Sequence, residues 1–305
     1  MTSRDRGTDG NLRVGLHALG IGTGSRPEII AAVARQADEA GFATLWCGEH
    51  VVMVDQPTSR YPYSADGRIA VPAEADWLDP MLALTFAAAH SHEITLATGI
   101  LLLPEHNPLI IAKQAATLDR LSGGRFALGI GAGWSAEEFA ALGVPFARRG
   151  QRTAEYVAAM RALWADDVAS FSGEFTRFES VRVNPKPVRD RRIPVVIGGN
   201  SDASLSRVAA FGDGWYGFNL PVTAVAERVA ALARECEQRG RDVRELAVAV
   251  ALADGSPAML PELAGIGVSE LVLVAAPPAH PAAAVTWVEE LAAEWAVAPT
   301  QKQPT

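Results

Sequence analysis

At 305 residues and 49% hydrophobic content, the chain is long enough to bury one large core or two ordinary ones. A formal charge of −8 and a pI near 5.3, without a basic run or stripe, argue against a nucleic-acid or anionic-membrane partner and leave a cytoplasmic protein acting on a small molecule as the expectation. No apolar segment reaches the ~18 residues of a membrane helix. Residues 1–10 are polar, lack a signal-peptide core and are expected to form a disordered tail, with a second tail at 298–305. Cys47 and Cys236 lie far apart in sequence, form no metal-ligand or redox spacing, and read as reduced thiols.

The chain opens with a strand at 12–18 and a glycine-rich turn at 19–24. Ser25-Arg-Pro-Glu28 then reads as a helix start in which serine and glutamate satisfy free backbone donors, and the helix runs to Ala40. A second strand at 42–47 ends in Gly48-Glu49-His50. Residues 49–78 are rich in Pro, Tyr, Ser and Asp and show no periodicity, and a loop of that length usually serves as a lid or binding loop. Asp79-Pro80 opens a second helix that ends near His90.

The stretch that follows organises the rest. Residues 93–103 are apolar with a single glycine, Gly99, as a strand buried on both faces requires. Asn107 and Pro108 then start a helix that runs out at Ser122-Gly-Gly124, and 125–131 returns as a fourth strand. Ser135-Ala-Glu-Glu138 starts a short extra helix on the capping pattern seen before, and a long helix spans 149–164. Residues 171–183 look like an inserted hairpin. Strands at 193–198, 214–218, 246–252 and 270–274 alternate with helices at 202–211, 222–239, 257–264 and 281–295.

Eight strand–helix units predict one (β/α)8 TIM barrel over 11–297, with the lid at 49–78 and an insertion at about 134–192 between strands four and five. A doubly wound open sheet is the alternative. It would want a Gly-x-Gly-x-x-Gly after the first strand, which is absent. In a barrel the active site lies at the carboxyl ends of the strands. Those ends carry Glu49 and His50; Thr98, Gly99 and Ile100; Gly129, Gly131, Gly133 and Trp134; and Gly198, Gly199, Asn200 and Ser201. The last set puts free amides at a helix start, a nest suited to a phosphate, although a tight turn would use the same residues. The strand-four glycines either admit a flat ring or simply allow close packing. His50 is either a satisfied structural group or an acid–base. No hydrolytic triad, paired-carboxylate spacing or metal-binding cluster stands out.

Residues 46–52, 59–64, 66–68, 96–134, 149–150, 185–187, 197–201 and 213–215 together resemble the bacterial luciferase-like family, and most of all its actinobacterial branch dependent on the deazaflavin coenzyme F420. The resemblance covers roughly 12–220. It implies a flavin-type ring across the barrel mouth, a non-prolyl cis peptide at Gly99–Ile100 behind the ring, Glu49 and His50 beside it, and the phosphate of the side arm at Gly198–Ser201. Arg148, Arg149 and Arg152 are candidates for the anionic tail by position. One departure is Trp134, which stands where sugar-phosphate dehydrogenases of the family place a glutamate. With Tyr61, Tyr63 and Trp77 it suggests a more apolar substrate, unless these rings are lid packing.

The expectation is an F420-dependent oxidoreductase moving a hydride between the deazaflavin C5 and a small organic substrate, with His50 as proton partner. The alternatives are an FMN-dependent two-component monooxygenase using O2, with FMNH2 supplied by a partner reductase, and a flavin-binding relative without turnover. By analogy with the family a homodimer is expected.

Overall fold

The structure is a computed structural model that describes residues 12–297, so the two expected tails lie outside the described residues. The elements are β1 (Arg13–Leu19), α1 (Pro27–Ala40), β2 (Thr44–Cys47), α2 (Pro80–Ala88), β3 (Thr95–Thr98), β4 (Leu101–Leu102), α3 (Pro108–Leu121), β5 (Phe126–Gly131), α4 (Ala136–Ala141) and α5 (Arg149–Ala165). They continue with β6 (Ala169–Ser172), β7 (Arg177–Val181), β8 (Val195–Gly198), α6 (Asp202–Phe211), β9 (Gly214–Leu220), α7 (Val222–Glu237), β10 (Ala247–Leu252), α8 (Leu260–Ile266), β11 (Glu270–Val274) and α9 (Pro281–Glu294). The order β3-β2-β1-β11-β10-β9-β8-β5 is parallel throughout, and β3 also pairs with β5, which closes the sheet into a (β/α)8 barrel. The antiparallel hairpin β6–β7 stands apart, between the fourth and fifth staves.

Helix starts follow the expected chemistry at four places. Asp79, Asn107, Ser135 and Ser201 each accept backbone amides of the first turn. Ser25 does not. The glycine-rich turn tightens into a 3-10 helix, Gly22–Ser25, in which the Ser25 hydroxyl donates to the Gly22 carbonyl, and α1 begins at Pro27 without a side-chain cap. The third strand is also not continuous. It breaks between β3 and β4 at Gly99–Ile100, which is a non-prolyl cis peptide bond. The expected helix at 257–264 opens as a 3-10 turn, Pro257–Met259, before α8.

Strand alternation sorts the core into two. Leu16, Leu45, Leu96, Leu128, Ile197 and Val250 point outward into the layer between barrel and helices. Trp46, Ala97, Ala127, Val196, Tyr216, Ala249 and Val272 fill the barrel interior. Trp46 and Tyr216 are stacked at 4.7 Å, and the Trp46 indole donates to the buried Glu270 carboxylate at 2.9 Å. The alanines facing these rings leave room for them, so the amino-terminal half of the barrel keeps only a void of about 20 Å3 beside Trp46 and Glu270, and the large open space lies at the carboxyl ends.

Closure depends on one close approach. A Cβ on Gly129 would lie 1.9 Å from the Thr98 carbonyl oxygen, and the Thr98 hydroxyl donates to the Gly129 carbonyl at 2.6 Å. Gly129→Ala is expected to lower the unfolding free energy by about 3 kcal/mol, because backbone must move rather than a flexible side chain. Urea denaturation measures it, and a loss under about 1 kcal/mol would show that β3 and β5 can separate freely.

Candidate functional site

A cavity of about 1200 Å3 opens at the carboxyl ends of the strands, beneath the segment expected as a lid. Glu49, His50, Gly99, Ile100, Gly131, Gly133, Trp134, Gly198, Gly199, Asn200 and Ser201 all line it, as do Tyr61, Tyr63 and Trp77. Thr98 does not. It is fully buried behind the wall, its hydroxyl spent on Gly129. The glycines have a packing reason of their own. Ile100 occupies the space that side chains at 131 and 198 would need, with its Cδ1 at 2.5 and 2.3 Å from their Cβ positions, and Phe139 occupies that of residue 133 at 2.5 Å.

His50 leaves β2 into a pocket of rings, edge-on to Trp77 at 5.0 Å and to Trp134 at 5.8 Å. Its Nδ1–H donates to Glu138 Oε2 at 2.8 Å, while the Val51 and Val52 amides donate to Glu138 Oε1. Glu138 was expected to serve the start of α4. Ser135 does accept the Glu138 amide, but the Glu138 carboxylate turns away to fix the imidazole. The sequence carries no signal of this, since Glu138 stands at the capping-box position three residues after Ser135. Glu137 beside it accepts the Thr58 and Ser59 amides.

Glu49 is committed to structure. Its carboxylate accepts the Leu102 amide at 2.6 Å and His106 Nε2–H at 3.0 Å, bracing the chain just past the cis peptide. Burial disfavours charge on His106, but the hydrogen bond and charge of Glu49 outweigh it and raise the imidazole above its ordinary range. Below them lies Glu105, buried with neither carboxyl oxygen hydrogen-bonded to any described residue. Burial, and then the carboxylates of Glu138 and Glu49, push it up to about 9, so it is a neutral acid at pH 7.

One part of the cavity wall is cationic. Gly199 takes φ +114°, a conformation that favours glycine, and turns the chain so that the Asn200, Ser201, Asp202 and Ala203 amides find no acceptor among the described residues. The Asn200 side chain is tied to Phe218 and the Ser201 hydroxyl caps α6, so only their amides are free. Ala203, Ser204 and Arg207 share the α6 face that lines the cavity. Arg207, which sequence reading missed, makes no ion pair among the described residues, and burial and the nearby Arg149 charge lower its guanidinium below its ordinary value. Of the three arginines nominated by position, only Arg149 lines the cavity, its Nε–H donating to the Gly133 carbonyl. Arg148 pairs with Glu174, and Arg152 is buried against Pro145 and Phe175. Two buried donors or acceptors on the lid side, Ser64 Oγ and Trp77 Nε1, also line the cavity without a partner among the described residues.

Glu105 gives this site a pH signature. Between pH 4.5 and about 9 the folded chain holds a proton that the unfolded chain releases, so stability falls as pH rises through that window. Glu105→Gln, neutral at every pH and of the same shape, is expected to stabilise the protein by about 1–3 kcal/mol at pH 8 and to change little at pH 4. Denaturant titrations at the two pH values measure this, and an equal shift at both would place an ionised Glu105 in the fold.

Comparison with known proteins agrees with the architecture and extends it. The family model for luciferase-like monooxygenases matches residues 14–253. An uncharacterized protein of Mycobacterium tuberculosis is 35% identical over 281 residues, which are 92% of this chain and 98% of that one. Among solved structures, the monooxygenase RslO1 from Streptomyces bottropensis superposes with a TM-score of 0.75 at 20% identity, covering 93% of this chain and 98% of its own. The coenzyme F420 dependent tetrahydromethanopterin reductase from Methanopyrus kandleri does so with 0.72 at 17% identity, covering 92% and 98%. The closed parallel barrel, the cavity at its carboxyl end and the match over most of the sequence lead to one conclusion: the chain belongs to the luciferase-like monooxygenase family.

Proposed function

We propose that the chain is an oxidoreductase that holds a flavin-type ring in this cavity, coenzyme F420 as the first choice, and moves a hydride between it and a small, largely apolar organic substrate. The observation that carries this reading is the anion cradle at one end of an otherwise aromatic cavity. Free amides of the α6 start, Arg149 and Arg207 fit the phosphate-bearing arm of such a cofactor, and the unpartnered Trp77 Nε1 and Ser64 Oγ await polar atoms of a ligand. Deazaflavin supplies hydride at C5 when bound. The rest falls to the protein. The rings of Trp77, Trp134, Tyr61 and Tyr63 exclude water, and His50, with Nδ1 fixed by Glu138, gives or takes the accompanying proton at Nε2. A second reading, an FMN-dependent monooxygenase served by a separate reductase, draws support from the likeness to RslO1 and uses the same cradle and the same dry wall.

Fluorescence titration with F420 and with FMN, oxidised and reduced, separates the two readings. Preference for F420 supports hydride transfer, preference for FMN the oxygen-using alternative, and binding of neither removes both. Arg207→Ala is expected to weaken binding about 10- to 100-fold, the worth of a charge-assisted contact, and unchanged affinity would move the arm elsewhere. His50→Ala is expected to bind cofactor within about threefold of the parent and to lose about 100-fold or more in turnover. Unimpaired turnover would take His50 out of the mechanism.

A further inference from the structure

The proton chemistry assigned to His50 leaves a second cavity imidazole unused. His17 projects inward from β1 at 8% exposure, in register with Trp46 of β2 and therefore deeper than His50. It lines the cavity, and its Nδ1 lies 3.1 Å from the Tyr216 hydroxyl. Tyr216 is 2% exposed and stacked on Trp46. Burial, reinforced by Glu270 and Tyr61, pushes its phenol well above the ordinary range, so the hydroxyl keeps its proton.

Among the described residues that hydroxyl has no acceptor other than His17 Nδ1. If the imidazole were the donor instead, a buried phenol proton would be left without a partner. Nδ1 is therefore the acceptor, and the ring proton sits on Nε2. Nε2 has no partner among the described residues. Glycines keep this edge of the ring clear: a Cβ on Gly48 would stand 3.2 Å from Nε2, and one on Gly99 would stand 3.1 Å from Cε1. Burial alone, with no carboxylate paired to the ring, lowers His17 to about 4, so it stays neutral through the physiological range.

We propose that His17 is a fixed, neutral hydrogen-bond donor whose Nε2–H receives a carbonyl oxygen of the ligand held in the cavity, orienting and polarising it without giving up a proton. The proposal rests on the cavity being the ring-and-substrate site argued above. Two sources offer that chemistry, a carbonyl of the flavin-type ring and a carbonyl of the organic substrate. A neutral donor suits either, because it strengthens its hydrogen bond as negative charge grows on the oxygen while the proton stays on nitrogen.

Three proteins test it: the parent, His17→Phe, which removes the donor, and His17→Gln, which keeps an N–H at a similar reach. In the ligand-free parent, nitrogen-15 NMR of labelled histidine, assigned by the signal lost in the variants, is expected to show the Nε2–H tautomer with no titration between pH 5 and 8. The Nδ1–H tautomer, or a midpoint near 6.5, overturns the proposal. Affinity for F420 and FMN, and kcat/KM with cyclohex-2-enone as a carbonyl probe, then locate the oxygen. A loss of about tenfold in His17→Phe, recovered to within about threefold in His17→Gln, is expected in ring affinity if the ring supplies the carbonyl and in kcat/KM if the substrate does. No effect of His17→Phe on either quantity, or no recovery in His17→Gln, overturns it. A parent that binds neither cofactor refutes the cofactor reading instead, and the tautomer and its pH independence still decide the state of His17.

Discussion

The barrel closes because the Thr98 carbonyl lies where a side chain at position 129 would otherwise stand. That approach brings β3 to β5 and completes the ring of parallel staves. It also sets what comes next in the chain. Past Thr98 the backbone turns through Gly99–Ile100, and the Ile100 side chain fills the space left by Gly131 and Gly198. Below that level the stacked Trp46 and Tyr216 plug the interior. The depth of the cavity is thus fixed from beneath by interior rings and from the side by the closure itself.

Charge is distributed along the cavity with equal economy. The three carboxylates near its histidine end are spoken for: Glu138 holds His50, Glu49 holds His106 and the Leu102 amide, and Glu105 keeps its proton. None of them pairs with Arg149 or Arg207, which line the cavity together with α6 amides that have no acceptor among the described residues. Three buried acids so close together could not all ionise, and the one without hydrogen-bond donors is the one that stays neutral.

The fold was legible because strands buried on both faces read as short apolar runs, and because Asp79, Asn107, Ser135 and Ser201 announce their helices by a chemistry that needs no tertiary context. Ser25 failed that test because a neighbouring glycine turn competed for its hydroxyl. The strand-end positions of the candidate site were equally readable, since parallel topology alone delivers them to one rim. Three residues were not. His17 is hidden in β1 by alternation, its inward direction visible only once Leu16 and Ala18 are seen to face the helices. Arg207 sits six residues past its loop and reaches the cavity only because α6 turns that face inward. Glu138 matched a local capping pattern so well that its long-range partner, 88 residues back in the chain, had no sequence trace.

The segment expected as a lid, 49–78, is fastened unevenly. Near its start, Val51, Val52, Thr58 and Ser59 are held through their amides by the adjacent Glu137 and Glu138 of α4. At its end, Leu78 donates to Gly20 and Gly22 donates to Asp76, securing the segment to the turn after β1. Between these roots, the Tyr63 carbonyl accepts from Asn219, and Tyr61 and Tyr63 touch Trp134 and Phe218 through ring edges. The span from 60 to 75 therefore has fewer polar ties to the barrel than either root. Separating it from the barrel would break fewer hydrogen bonds than release of either root, the pattern expected of a segment that opens at lower cost. His50 shares the Glu138 carboxylate with the first root, so the direction of its ring is set there and not by the middle span.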